Sequence, residues 1–227
     1  MMKLTVTRFI LVLTFSQVAF EQLISAKFCF QSVQTKKQRV LDSMGELYPL
    51  ISGTVGKPNV KKPGYEVEKR VDDEILAIAN ESAEDRELVV HTLVEALEDP
   101  KHHDGFFYSA LWSGASYVLG QLKAVEAIDI LSQHLDIQHG PFTLSYSGFP
   151  AVQGLIQIGE PAIPKLAEVL LANPKTTCRG FAAFALGAIG GEQARDALER
   201  AHGTERDPDV MKEIELQLTV VQRPRPR

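Results

Sequence analysis

The sequence predicts an all-α fold, a right-handed α-solenoid of about four antiparallel helical pairs followed by a terminal helix. Three observations predict it. Apolar residues recur at helical spacing from Val67 to Val221. A motif of small residues followed by Leu occurs three times, with anchoring leucines at Leu119, Leu155 and Leu186. Proline and glycine separate the helical segments, as is typical of short helices joined by turns.

Composition limits the classes of function. The 227 residues carry a formal charge of -5 that is unevenly distributed. Residues 1–67 have nine Lys or Arg against four Asp or Glu, whereas residues 68–100 have three against eleven. Because nucleic-acid binding needs clustered cations, the acidic segment argues against a nucleic-acid partner. Cys29 and Cys178 show no metal-ligand spacing, and we expect Cys178 to be a buried free thiol.

Residues 1–26 have the form of a signal peptide or leader. Lys3 and Arg8 precede an apolar run of twelve residues, 9–20, which is too short to span a bilayer stably. The alternatives are an amphipathic cytoplasmic leader and a start site assigned too far upstream. The pattern favours an exported protein, periplasmic or secreted, over a cytoplasmic one, with no stable membrane span.

Three further segments complete the predicted organisation. Residues 27–66 form a linker or weakly structured arm with a short helix over Val33–Tyr48. Residues 67–221 form the repeat domain, and residues 222–227 form a disordered tail.

Within the repeat domain, breakers and caps predict each helix in order. The first helix ends near Asn80, and Ser82 caps the second, which ends at Asp99-Pro100. Residues 101–106 form a loop, and residues 136–147 form a longer insertion. The remaining helices are predicted over 107–122, 124–135, 149–158, 160–171, 177–189, 192–201 and 208–221, the last with Asp207 as its cap.

The repeats explain why these helices should stack. The three aligned segments are 115–122, 151–159 and 182–190, and a second apolar residue lies eight positions after each anchoring leucine. A two-helix unit cannot cover its own apolar face, so successive units must bury it against one another. Alanine and glycine in the first helix of each unit allow neighbouring backbones to approach closely.

At these residues the chain resembles the HEAT-like repeat family, in the short form found in phycobilin lyases. The matching residues of the best copy are Asn173-Pro174, Cys178-Arg179, Ala182–Ala185, Leu186-Gly187, Ile189-Gly190, Ala194 and Leu198. The resemblance covers about 68–221, and residues 68–99 match only as a helical pair. The resemblance implies the fold but indicates little about function, because such repeats bind many unrelated partners.

Motifs for catalysis are absent from the sequence. It contains no GxSxG, no P-loop and no GxGxxG, and the glycines at 187–191 are attributed to helix turns. His102 and His103 with Asp104 are the nearest approach to a metal site, but no second cluster accompanies them. We therefore expect no metal, no cofactor and no catalytic residue, while enzymatic activity remains an open question.

The densest aromatic region is the predicted binding site for another protein or peptide. Aromatic side chains are favoured interface hot spots, and insertions in repeat arrays collect on one rim. The candidate residues are Phe107, Tyr108, Trp112, Phe142, Tyr146 and Phe149. The alternative interpretation is that Trp112 and Phe149 fill gaps between unequal repeats.

The predicted function is that of a non-enzymatic protein–protein interaction module. One alternative, which the resemblance implies, is a bilin lyase-type enzyme or an accessory subunit for chromophore attachment. Another is a regulatory subunit that docks on a larger assembly. The identity of the partner and the oligomeric state stay open.

Overall fold

A computed structural model describes residues 31–43, 64–103, 109–138 and 148–221. The chain divides into two compact units, Met1–Val40 and Leu41–Arg227. The predicted leader and tail, and much of the predicted arm, lie outside the described residues. Within the arm, the first described helix, α1, covers 31–43 and overlaps the short helix predicted over 33–48.

The described part of the second unit consists of helices joined by turns and contains no strand, which confirms the predicted all-α class for these ranges. Three short 3₁₀ helices occur at Pro100–His102, Val125–Ala127 and Glu160–Ala162. The α-helices are α2 (Gly64–Ala79), α3 (Ala83–Glu98), α4 (Ser109–Gln121), α5 (Ile128–Gln133), α6 (Pro150–Ile158), α7 (Ile163–Ala172), α8 (Thr176–Ile189), α9 (Glu192–His202) and α10 (Pro208–Val221).

Two helix caps are confirmed at atomic level. The Ser82 hydroxyl oxygen accepts the backbone N–H of Asp85 at 3.0 Å and donates to its carboxylate at 2.9 Å. Asp207 accepts the backbone N–H groups of Asp209 and Val210, each at 3.1 Å. Both caps supply acceptors to amides that would otherwise lack a partner in the first turn of a helix.

The helices predicted over 124–135 and 160–171 begin differently from the prediction. Each opens with a 3₁₀ turn, so that the α-helical part starts only at Ile128 or Ile163. Pro164 then lies in the first turn of α7, where its missing N–H costs no intrahelical hydrogen bond. The first of these helices also ends early, because α5 stops at Gln133.

The turns after α4, α6 and α8 use equivalent repeat positions. Gly159 and Gly190 have φ values of 89° and 71°, and Gly191 follows at 89°. Lys123 occupies the same position after α4 and adopts φ 52°. Such angles favour glycine, since a Cβ is strained there. These glycines therefore form the turns between helices, as predicted from the sequence.

Helices of the second unit lie in two layers. In one layer α2, α4, α6, α8 and α10 contact one another in succession, and in the other α3, α5, α7 and α9 do so. The anchoring residues Leu119, Leu155 and Leu186 are fully buried between the layers. A Cβ added at Gly154 of α6 would lie 2.9 Å from the backbone oxygen of Ser116 in α4. The small residues thus permit the close approach that the sequence predicts. None of the helices described is long and apolar enough to cross a bilayer.

Candidate functional site

Trp112, on α4, is completely buried. Its indole Nε1 donates a hydrogen bond to the backbone oxygen of His102 at 2.7 Å. The side chain therefore joins α4 to the 3₁₀ turn that follows α3. In this conformation the ring supports the surrounding surface rather than forming part of it.

The histidines at 102 and 103 are capping residues of α3. His102 Nδ1 lies 2.6 Å from the carbonyl oxygen of Ala96, and His103 Nε2 lies 2.9 Å from that of Leu97. Because carbonyls only accept, each ring must donate at this nitrogen. The last carbonyls of a helix lack intrahelical donors, and these imidazole rings donate hydrogen bonds to two of them. This explains the paired histidines without a metal ion.

The rings of His103, Trp112 and His134 form a tilted cluster, with interplanar angles of 53° to 62°, that brings together the ends of three helical segments. This cluster is named the imidazole–indole stack. The ring centroids of His103 and His134 are 4.3 Å apart, and those of Trp112 and His134 are 5.0 Å apart. His103 also meets Trp112 in an edge contact at 6.2 Å. Burial, reinforced by the neighbouring His103, lowers the pKa of His134, and Asp136 opposes the shift only partly.

Phe149 is half-buried immediately before α6, and its ring contacts that of Phe181 on α8 with a centroid distance of 4.2 Å. Of the six predicted binding residues, the structure therefore describes Trp112 and Phe149. The other four, Phe107, Tyr108, Phe142 and Tyr146, lie outside the described residues. The aromatic binding site stays a prediction.

Sequence reasoning missed an ion pair between Arg179 and Glu205. Arg179 Nε and Nη2 donate to the two carboxylate oxygens at 2.8 and 3.1 Å, and Nη1 donates to the Asn173 carbonyl at 2.9 Å. Only 16% of the arginine side chain and 8% of the glutamate side chain are exposed. The arginine lowers the pKa of Glu205 to about 2, with backbone N–H groups of Asp207 and Arg206 assisting. Arg179 appears in the repeat motif, but nothing in the sequence indicates its partner.

Surface cavities lined by described residues include two near the C-terminal helices. One, of about 320 Å³, borders the Arg179–Glu205 pair and also includes Leu171 and Arg206 in its wall. At this wall the charges of Arg179 and Glu205 are paired with each other. The other, of about 460 Å³, lies on the outer face of α10 and includes Lys212 and Leu216.

No described cluster of three or more His, Cys, Asp or Glu residues could hold a metal ion. Cys178 is a buried free thiol, as predicted, and burial raises its pKa. Since the thiolate is the nucleophilic form, this environment makes Cys178 unreactive.

The fold of the described residues is that of a helical repeat protein, and one of its repeats is similar to the HEAT-like type. Residues 179–201, which cover most of α8 and nearly all of α9, match the family model of the PBS lyase HEAT-like repeat. The match confirms the resemblance predicted from the best repeat copy.

Curated relatives are similar over part of the chain. An epoxyqueuosine reductase of Listeria monocytogenes is 30% identical over 118 residues, which is 49% of this chain and 31% of that protein. Epoxyqueuosine reductases of Bacillus cereus and Bacillus anthracis are each 43% identical over 53 residues, 23% of this chain and 14% of theirs. The chain thus spans at most about a third of the length of these relatives.

Proposed function

We propose that this chain is a non-enzymatic protein–protein interaction module. Its architecture would be a right-handed solenoid of about four antiparallel helical pairs with α10 as the terminal helix. The observation that carries the proposal is the two-layer succession of helices around a HEAT-like repeat at 179–201. Stacked repeats of this type present extended surfaces to partners, and HEAT-like repeats commonly mediate protein interaction.

The partner surface is the rim on which the connections between repeats lie, around residues 102–112 and 138–149. Of the aromatic residues of this proposed surface, the structure describes Trp112, which contacts His134, and Phe149, which contacts Phe181 on α8. Aromatic side chains are favoured hot spots of protein interfaces, which supports capture of a protein or peptide at this place.

Affinity capture with the full chain, followed by mass spectrometry, tests the proposal. Because Trp112 is buried, replacing it would disturb the fold as well as the surface. The informative variant is Phe142→Ala with Tyr146→Ala, and the control is Tyr117→Ala, an exposed aromatic on α4. We expect the double variant to lose the captured partner while its far-ultraviolet circular dichroism stays unchanged. Equal capture by both variants would argue against this surface.

The family match also favours one alternative, a bilin lyase-type enzyme or accessory subunit for chromophore attachment. Co-expression with a phycobiliprotein subunit and a bilin would test it, since a lyase must produce a covalently coloured subunit. No covalent chromophore above the level without the chain would exclude this alternative.

The relatives favour a second alternative, a helical module that assists an enzyme acting on epoxyqueuosine. The purified chain alone should not reduce epoxyqueuosine, because the match covers about a third of the Listeria reductase. Acceleration of a purified reductase by added chain would support the accessory role, and unchanged rates would remove it.

A further inference from the structure

The imidazole–indole stack connects parts of the chain that are distant in sequence. His103 follows the 3₁₀ turn after α3, Trp112 lies within α4, and His134 ends α5. His103 also donates to the Leu97 carbonyl, and Trp112 donates to the His102 carbonyl. The end of α3 is therefore fastened to the next two helices through these rings.

We propose that the stack of His103, Trp112 and His134 is a proton-sensitive joint. When His134 becomes charged, its ring leaves the contact with His103 and Trp112, and the end of α3 loses its connection to α5. Two imidazolium groups with centroids 4.3 Å apart would repel each other, and partial burial would remove the water that stabilises their charge. Attraction of a charged ring to the indole face opposes this effect, but the pKa of His134 is lowered, so repulsion and burial dominate.

Among the residues that the structure describes, the charged groups around the stack do not reverse this outcome. The turn after α3 contributes Asp99, Lys101 and His102 to the surroundings of the stack. Helix α4 contributes no charged side chain, because it contains no Asp, Glu, Lys, Arg or His over 109–121. Asp136 lies shortly after α5, and its carboxylate forms an ion pair at 2.7 Å with Lys175, the residue just before α8. Because Lys175 neutralises Asp136, the nearest carboxylate is a weak counter-ion for His134. The Cys178 thiol also lies near Asp136 but carries no charge while protonated.

The direction of the pH effect follows from the lowered pKa of His134. Below its ordinary value of 6.5, the unfolded chain binds a proton that the folded chain resists. Stability is therefore present above 6.5 and falls as the pH drops towards the lowered pKa. Each unit of separation between the two pKa values increases the unfolding equilibrium constant about tenfold at low pH. Glu205 titrates much lower, with a pKa of about 2, so the two effects occupy separate pH ranges.

The experiment is urea unfolding of the full chain between about pH 7.5 and pH 5.5, the range in which histidine changes charge. Trp112 is the sole tryptophan, so its fluorescence reports on the joint itself. The variant is His134→Phe, which keeps an aromatic ring but cannot be protonated. The matched control is His91→Phe, at an exposed histidine paired with Glu95.

We expect the unfolding midpoint of the unmodified chain and of His91→Phe to fall on acidification, and that of His134→Phe to fall clearly less. The same acid-dependent loss in all three proteins would overturn the proposal. Should His134→Phe not fold, a proton NMR titration of the unmodified chain decides. In that titration, His134 with a pKa below 6.5 supports the joint, and a pKa at or above 6.5 overturns it.

Discussion

Single residues determine how closely neighbouring helices approach, and Gly187 shows this best. A Cβ added at Gly187 on α8 would lie 2.8 Å from the Cβ of Gln217 on α10. Gln217 is only 5% exposed and donates from Nε2 to Glu213 at 2.7 Å, so it has little room to move. A Cβ added at Gly120 on α4 would likewise lie 2.8 Å from the Cβ of Gln157 on α6. The glycine that follows Leu119 or Leu186 thus leaves room for a glutamine of the next helix in the same layer.

Gly187→Ala should therefore reduce the free energy of unfolding by about 1–3 kcal/mol, through overpacking against Gln217. Gly180→Ala, on the same helix, is the matched control, because nothing lies within 4 Å of its added Cβ. That control should be neutral or stabilising by up to about 1 kcal/mol through improved helix propensity. Urea unfolding of both variants measures the difference. Equal stability of the two variants would contradict the close approach.

Removing one partner of the Arg179–Glu205 pair should also be costly. Glu205→Gln leaves the arginine without its bidentate carboxylate, and we expect a loss of about 2–4 kcal/mol. The exposed pair of Arg195 and Glu199 provides the control, and Glu199→Gln should cost less than about 1 kcal/mol. Chemical denaturation at neutral pH compares the two variants, and a similar small loss for both would show that burial adds nothing.

The pH dependence of the same pair has a defined sign. The folded-state pKa of Glu205 is lowered from 4.5 to about 2, so its contribution is fully present above 4.5. It is lost as the pH falls through this interval towards about 2. Thermal unfolding of the unmodified chain should therefore show a steeper acid loss in this range than Glu205→Gln. Parallel curves for the two proteins would be the contradicting result.

Among the elements, α3 depends on the cap at its start and on the histidines at its end. Ser82→Ala removes the acceptor for the Asp85 N–H and should cost about 1 kcal/mol. Thr219→Ala, at an exposed position within α10, should change stability by less than about 0.5 kcal/mol. Hydrogen exchange should also show faster opening of the first turn of α3 in Ser82→Ala. Unchanged exchange there would indicate that the cap contributes nothing.

The sequence predicted elements well where a local signal was present. Ser82, Asp207 and the glycines at 159 and 190 act within a few residues of their own positions, so their roles follow from neighbouring letters. The 3₁₀ starts before α5 and α7 carry no such local signal. Arg179 and Glu205 are 26 residues apart and meet only because α8 and α9 fold back on each other. The contact of His134 with Trp112 likewise required the tertiary structure, whereas the histidine caps are local contacts, each with a carbonyl six residues earlier.

At the scale of the whole molecule, each helix of the second unit contacts mainly the helices next to it in chain order, both along its own layer and across to the other layer. Stability in such an array is approximately a sum of unit stabilities and nearest-neighbour contacts. A cavity in the middle of the array should therefore weaken the contacts on both sides. A cavity at its last helix should have a more local effect.

Leu186→Ala and Ile214→Ala make this comparison, since both side chains are fully buried, on α8 and α10 respectively. Because each side chain is buried, each truncation should reduce the free energy of unfolding by about 2–5 kcal/mol. In Leu186→Ala, hydrogen exchange should accelerate in α6, α8 and α10 together, because α8 contacts both neighbours. In Ile214→Ala, acceleration should concentrate in α10 and in the helices that touch it, α8 and α9, while α4 keeps its protection. If both variants accelerated exchange equally in every helix, the unit would unfold as one cooperative body, and the nearest-neighbour description would be wrong for this chain.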